Sequence, residues 1–411
     1  MSFSASCVSG AVRALNAGGR TLRRIGADPP SLEIDSLLQS ARRRAGVSDF
    51  GAWPIDEPLE RLLKSYRDEA ELTTLGRITV RELIVSLLEN LLLLEAERRA
   101  HPEVEREQVA DPVFIIGLPR TGTTHLHGLV SQDPGNRAPF TWEVMYPATH
   151  GETAAGIERV RARAQSRLDW ANRLAPEFMR IHPIAPDLPQ ECIAIHAQVF
   201  MGIQFHTTHD VRSFENWFER DSQDLAYDFH RRLLQHLQAQ RSGKRWVLKA
   251  PGHLFSLAAL LRRYPNAKIV QTHRDPLRVM ASMASHATVL RRAFSDSANP
   301  QQIAADWAER WARALDEFLA VRDRSPAAQF LDVSYESIER APLATVERVY
   351  DFLGWPLTDE ARAAMAGFLA ANPKDKHGAH RYTLEQFGLE RAAQTRRFAH
   401  YCERFELRIE N

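Results

Sequence analysis

Eight residues, Gly117-Leu118-Pro119-Arg120-Thr121-Gly122-Thr123-Thr124, stand between an apolar run, Val113 to Ile116, and an amphipathic pattern carried by Leu126, Leu129 and Val130. A glycine-rich turn leading from a strand into a helix aims successive backbone N–H groups inward. The positive end of the helix dipole adds to them, so such a loop suits a phosphate-like anion. The spacing matches the nucleotide P-loop with one departure. Where that motif carries the lysine that reaches the phosphates, this chain has Thr123, and its cation, Arg120, lies inside the loop. The departure counts against a nucleotide kinase or NTPase, which stays the rival enzyme class. A protein that binds a nucleotide without turning it over is the second rival.

Two further clusters carry chemistry. Lys249-Ala250-Pro251-Gly252-His253 follows the apolar run Trp246-Val247-Leu248. Thr272-His273-Arg274-Asp275-Pro276 follows the run that begins at Lys268, and Ser282 lies eight residues beyond Arg274. The planar fork of an arginine binds two oxygens of a doubly charged phosphate at once. Each cluster closes a stretch that reads as a strand, and ligands of open α/β sheets sit beyond the carboxyl ends of strands.

The elements that must hold these groups are legible around them. Val113 to Ile116 is a continuous apolar run, as expected of a strand buried on both faces. Trp246–Leu248, Lys268–Thr272 and Gln329–Val333 read as further strands, and Leu254 to Leu261 as a helix. Asp275 and Pro276 suit the N-cap and first position of the next helix, and Trp307, Trp311, Leu315 and Phe318 mark the core face of another. Strands alternating with helices predict a parallel sheet covered on both faces, a three-layer α/β architecture. Ahead of it, residues 31–108 read as a helical accessory region, with Leu59, Leu62, Leu63 and Tyr66 on one stripe and Leu83, Ile84, Leu87, Leu88 and Leu91 on another. Residues 1–30 read as a poorly ordered basic leader, with Arg13, Arg20, Arg23 and Arg24 and no acid before Asp28, a composition that also resembles a transit peptide. Residues 109–411 form the main domain, with a mainly helical insertion at about 150–245.

Composition narrows the partners. Lys plus Arg number 53 against 52 Asp plus Glu, a formal charge of +1, which argues against a nucleic-acid binder or a protein held on anionic membranes. The three cysteines, Cys7, Cys192 and Cys402, are too few and too scattered for a disulfide framework, which points to a reducing, cytoplasmic setting. The longest stretch without charge, Cys192 to His209, holds His196, Gln198, Gln204, His206 and His209, so no transmembrane segment is expected. The pairs His125/His127, His206/His209 and His377/His380 lack a third convergent ligand, and no metal site is expected.

Pro119-Arg120-Thr121-Gly122-Thr123-Thr124 resembles the 5′-phosphosulfate loop of sulfotransferases that use 3′-phosphoadenosine 5′-phosphosulfate, and Arg274, Asp275, Pro276 and Ser282 resemble that family's 3′-phosphate motif. More narrowly, the chain is similar to the large bacterial sulfotransferase-like family over roughly residues 40–390, through Asp49-Phe50-Gly51, Asp133-Pro134, Trp142-Glu143, Pro189-Gln190-Glu191, Tyr382-Thr383-Leu384 and Phe387-Gly388-Leu389. Many soluble members carry lysine where this chain has Arg120. The resemblance implies a P-loop-like fold and transfer of a sulfuryl group to a hydroxyl, less readily an amine, of a small-molecule or lipid acceptor. Adenosine 3′,5′-bisphosphate would be released with no metal required, and a homodimer is allowed. Arg120, Thr121, Gly122, Thr123 and Thr124 would hold the phosphosulfate, and Lys249 would stabilise the bridging oxygen. Arg274, Ser282 and a C-terminal loop bearing Arg381 and Tyr382 would bind the 3′-phosphate. The general base is His253 or Glu143. Glu191 shapes the acceptor pocket or makes a buried ion pair.

Overall fold

The computed structural model of the 411-residue chain describes residues 10–174, 184–241, 245–372 and 382–409. Five parallel strands form one sheet: β1 (Val113–Gly117), β2 (Asn136–Arg137), β3 (Arg245–Lys249), β4 (Lys268–His273) and β5 (Phe330–Ser334), in the order β2-β3-β1-β4-β5. The expected three-layer α/β fold is the one observed. β1 lies at the centre, where both neighbours satisfy its backbone and both faces are covered. Ile115 pairs with Lys249 of β3, and Gly117 with Thr272 of β4.

Alternation along β1 builds two cores. Val113 and Ile115 face one layer with Val247, Val270 and Val333, against Leu126 and Leu129 of the helix Thr123–Val130 and Val346 and Val349 of the helix Pro342–Leu353. Phe114 and Ile116 face the other layer, with Leu248 and Ile269. That second core runs without a break into the amino-terminal helices Ile34–Ala45, Asp56–Asp68 and Thr74–Ala100, through Leu37, Leu62 and Leu88. The helical region therefore shares its core with the sheet. Fully burying a leucine contributes about 1.5–3 kcal/mol, and this shared surface fixes the platform beneath the strand ends.

Three local features differ from the sequence reading. Gly10–Arg24 is helical, where the composition predicts a poorly ordered leader. It is tied down where Asn16 accepts from the Leu75 N–H at 3.0 Å and Arg23 donates to the Leu72 carbonyl at 3.0 Å. The helix expected over Leu254–Leu261 is broken: a 3-10 turn spans Pro251–Phe255, and the α-helix begins at Leu257 and ends at Arg263. The two-residue β2 is absent from the sequence reading. The uncharged stretch after Cys192 folds into short helical pieces, Cys192–His196, Ala197–Val199 and Gln204–Thr208. Among the described residues no helix is long and apolar enough to cross a membrane.

Candidate active site

The carboxyl ends of β1, β3, β4 and β5 converge on the glycine loop. Gly117 ends β1 so close to β4 that a Cβ on it would lie 2.3 Å from Thr272 Oγ1 and 2.7 Å from the Thr272 carbonyl. Thr121 is buried. Its hydroxyl meets the Leu118 carbonyl and Thr272 Oγ1, both at 2.6 Å. With its one proton given to the carbonyl, it accepts from Thr272. The Thr121 side chain thus braces the loop against β4. The loop runs on into the helix that starts at Thr123 behind Gly122 (φ +87°), and a glycine-rich turn leading into a helix suits an anion through its backbone N–H groups.

Arg120 carries a left-handed backbone, φ +67°, a conformation that costs a non-glycine residue energy and recurs at functional sites. Arg274 holds it there, its Nη1 donating to the Arg120 carbonyl at 2.8 Å. The Arg274 guanidinium also lies 3.8 Å over the ring of Tyr335, the first residue after β5. Surrounding protein and then the nearby Arg274 charge hold the Arg120 guanidinium below its ordinary pKa. The Arg120 charge on the loop and the Arg274 charge beside it form a field that an anion would relieve. Asp275 and Pro276 occupy the expected cap and first position of the helix Pro276–Phe294, with Asp275 accepting from the Leu277 N–H at 2.9 Å. Ser282 is half-buried on the same helix.

From β3, the buried Lys249 reaches across to the loop. Its ammonium donates to Thr124 Oγ1 at 3.2 Å and pairs with the Glu191 carboxylate. Glu191 stands at the N-cap of the helix Cys192–His196, and the chain before it is pinned by the Gln190 N–H, which donates to the Pro139 carbonyl at 2.8 Å. Of the two alternatives left open for Glu191, the ion pair is present.

The two candidate bases stand apart from this group. His253 is wholly buried. Its Nδ1 lies 2.6 Å from the Tyr227 hydroxyl, its Nε2 has no partner among the described residues, and Phe114, His196 and His230 surround the ring. Burial, then the neighbouring His196 and His230, push its pKa well below the imidazole range, so the ring is neutral. An acceptor would reach it only if this packing opened. Glu143 is equally enclosed. Oε2 accepts from the Phe140 N–H at 2.8 Å, closing the first turn of its own helix, and Oε1 accepts from Arg137 at 3.2 Å.

Tyr382 is half-buried and close enough to Arg120 to act on its charge. Arg381 and the pair His377/His380 lie outside the described residues. Among those described, His101, Glu103 and His150 could offer a metal three atoms within 4.8 Å of one another. Tyr335, and Lys249 as the partner in the Glu191 ion pair, are the site features that sequence reasoning missed. The position of Tyr335 directly after a strand was the available signal for the first.

Residues 112–359 match the model of the sulfotransferase family. The chain is 24% identical over 294 residues to the omega-hydroxy-beta-dihydromenaquinone-9 sulfotransferase Stf3 of Mycobacterium bovis, covering 68% of this chain and 72% of that protein. Among solved structures it is similar to sulfotransferase STF1 from Mycobacterium tuberculosis, with a TM-score of 0.80 and 33% identity over 90% of this chain and 98% of the other. Sulfotransferase STF9 from Mycobacterium avium gives a TM-score of 0.82 at 25% identity, covering 94% and 100%.

Proposed function

Because the chain belongs to the sulfotransferase family, we propose that it moves a sulfuryl group from 3′-phosphoadenosine 5′-phosphosulfate to the hydroxyl of a lipid or other small-molecule acceptor. The observation that carries this reading is the glycine loop held between Arg120 and Arg274, with Lys249 arriving from the adjacent strand. Sulfuryl transfer passes a trigonal SO3 unit between two oxygens in line, so catalysis is mostly positioning and charge stabilisation, as in phosphoryl transfer. Loop amides and Arg120 hold the phosphosulfate, Arg274 and Ser282 hold the 3′-phosphate, and Lys249 meets the negative charge that builds on the bridging oxygen. Thr123, buried where a kinase would present its lysine, favours this donor over a nucleoside triphosphate. The lipid preference follows the name of the mycobacterial relative, whose substrate is a hydroxylated menaquinone.

The donor assignment makes a direct demand on binding. A ligand that binds only the folded state raises the melting temperature by mass action. Adenosine 3′,5′-bisphosphate should therefore raise it by several degrees at saturating concentration, and adenosine 5′-phosphate much less. Equal shifts, read by differential scanning fluorimetry, would remove the 3′-phosphate role of Arg274 and Ser282.

A further inference from the structure

We infer that Glu191 is the general base of the transfer, resting on the proposed phosphosulfate reaction and departing from it in the residue that takes the proton. Three groups compete for the role, Glu143, His253 and Glu191, and their surroundings differ. Both oxygens of Glu143 are engaged, by Arg137 and by a backbone N–H, and the residue is shut away from solvent. His253 is sealed behind Tyr227, Phe114 and two other histidines. Glu191 alone of the three keeps part of its side chain, 11%, open to solvent, and it lies at the ligand end of the sheet.

Its partner places it at the chemistry. Glu191 pairs with the Lys249 ammonium, and that ammonium also bonds Thr124 of the glycine loop, so a single side chain separates the carboxylate from the loop. An ion pair taken out of water stabilises little, so stability alone gives weak reason for one at this place. Bound phosphosulfate supplies Lys249 with a second anion to face, and the carboxylate is then shared between the ammonium and an incoming hydroxyl. In the transfer, the acceptor oxygen forms a bond to sulfur while the bond from sulfur to the bridging oxygen breaks. The acceptor proton passes to Glu191, and the electron pair of the broken bond stays on the 5′-phosphate of adenosine 3′,5′-bisphosphate, beside Lys249. Proton, charge and leaving group are thus served by two adjacent side chains.

The test compares turnover with nucleotide affinity, using radiolabelled phosphosulfate and an acceptor drawn from a hydroxylated-lipid extract that the wild-type enzyme labels. Removing a positioned general base costs about 10²- to 10⁴-fold in turnover. Glu191→Gln should lose kcat on that scale, with its dissociation constant for adenosine 3′,5′-bisphosphate, measured by calorimetry, within about threefold of wild type. Because an uncompensated Lys249 could unfold that variant, Glu191→Asp provides the second arm. It keeps the charge while withdrawing the carboxylate by one methylene, and should fold, bind nucleotide normally and lose at least about tenfold in kcat, since small misplacements are costly. Wild-type turnover in either folded variant overturns the inference, as does a loss of kcat matched by an equal loss of nucleotide affinity. A wild-type protein that neither binds the bisphosphate nor transfers label overturns the phosphosulfate reading itself, and this inference with it.

Discussion

Gly117→Ala should lose nucleotide binding and destabilise the protein together. The new methyl group would sit 2.3 Å from Thr272 Oγ1, 2.7 Å from the Thr272 carbonyl and 2.8 Å from Thr121 Oγ1. None of these is the far end of a flexible side chain. The carbonyl belongs to β4, and the two hydroxyls are bonded to each other. Relief must come from β1 and β4 moving apart, at the strand ends where the loop begins. Overpacking of this kind costs about 1–3 kcal/mol, which the denaturation midpoint should register. The same movement spreads the loop amides, so affinity for adenosine 3′,5′-bisphosphate should fall by roughly tenfold or more, the equivalent of about 1.4 kcal/mol. A Gly117→Ala variant with unchanged midpoint and affinity would show that the close approach of β1 to β4 does not shape the loop.

Arg274→Ala should weaken bisphosphate binding by about 2–4 kcal/mol, roughly thirtyfold to several hundredfold. That range counts the loss of a charge-assisted contact together with a phosphate left unpaired. Two features of the structure sharpen it. Arg274 also holds the Arg120 carbonyl, so its loss releases the left-handed residue at the centre of the loop. Its stack on Tyr335 pre-orders the guanidinium. Arg274→Lys should recover only part of the affinity, because an ammonium reproduces neither the fork nor the stack. The residue is half-buried at the surface end of the sheet, so the melting temperature without ligand should change little. Calorimetric titration separates these outcomes, and full affinity in the alanine variant would remove Arg274 from the nucleotide site.

The two arginines illustrate what was legible in the sequence. Glycine spacing, a buried apolar run and a following amphipathic pattern are local signals, and they locate β1, the loop and its helix. Asp275–Pro276 marks a helix start by the same local logic. The four longer strands are legible as apolar runs, whereas a two-residue strand such as β2 has too little pattern to detect and exists only because β3 offers it an edge. Contacts between distant segments stay hidden. Glu191 and Lys249 are 58 residues apart in the chain, and only the fold brings the N-cap of the helix Cys192–His196 to the last residue of β3. His253 stands four residues after Lys249, a spacing that suggests a shared cleft. The 3-10 turn at Pro251–Phe255 instead turns it inward against Tyr227 and His230 of the helix Asp224–Gln240. No local pattern announces that inward turn, since it depends on what packs against it.

The central claim, sulfuryl transfer from a phosphosulfate nucleotide held by this loop, is tested most directly by incubating the purified protein with radiolabelled 3′-phosphoadenosine 5′-phosphosulfate and a hydroxylated-lipid extract. Label in the lipid phase and released adenosine 3′,5′-bisphosphate are followed together. The account predicts that label enters the lipid phase in step with bisphosphate release, and that Lys249→Ala suppresses both. Donor left intact, or label transferred at an undiminished rate by Lys249→Ala, would contradict it.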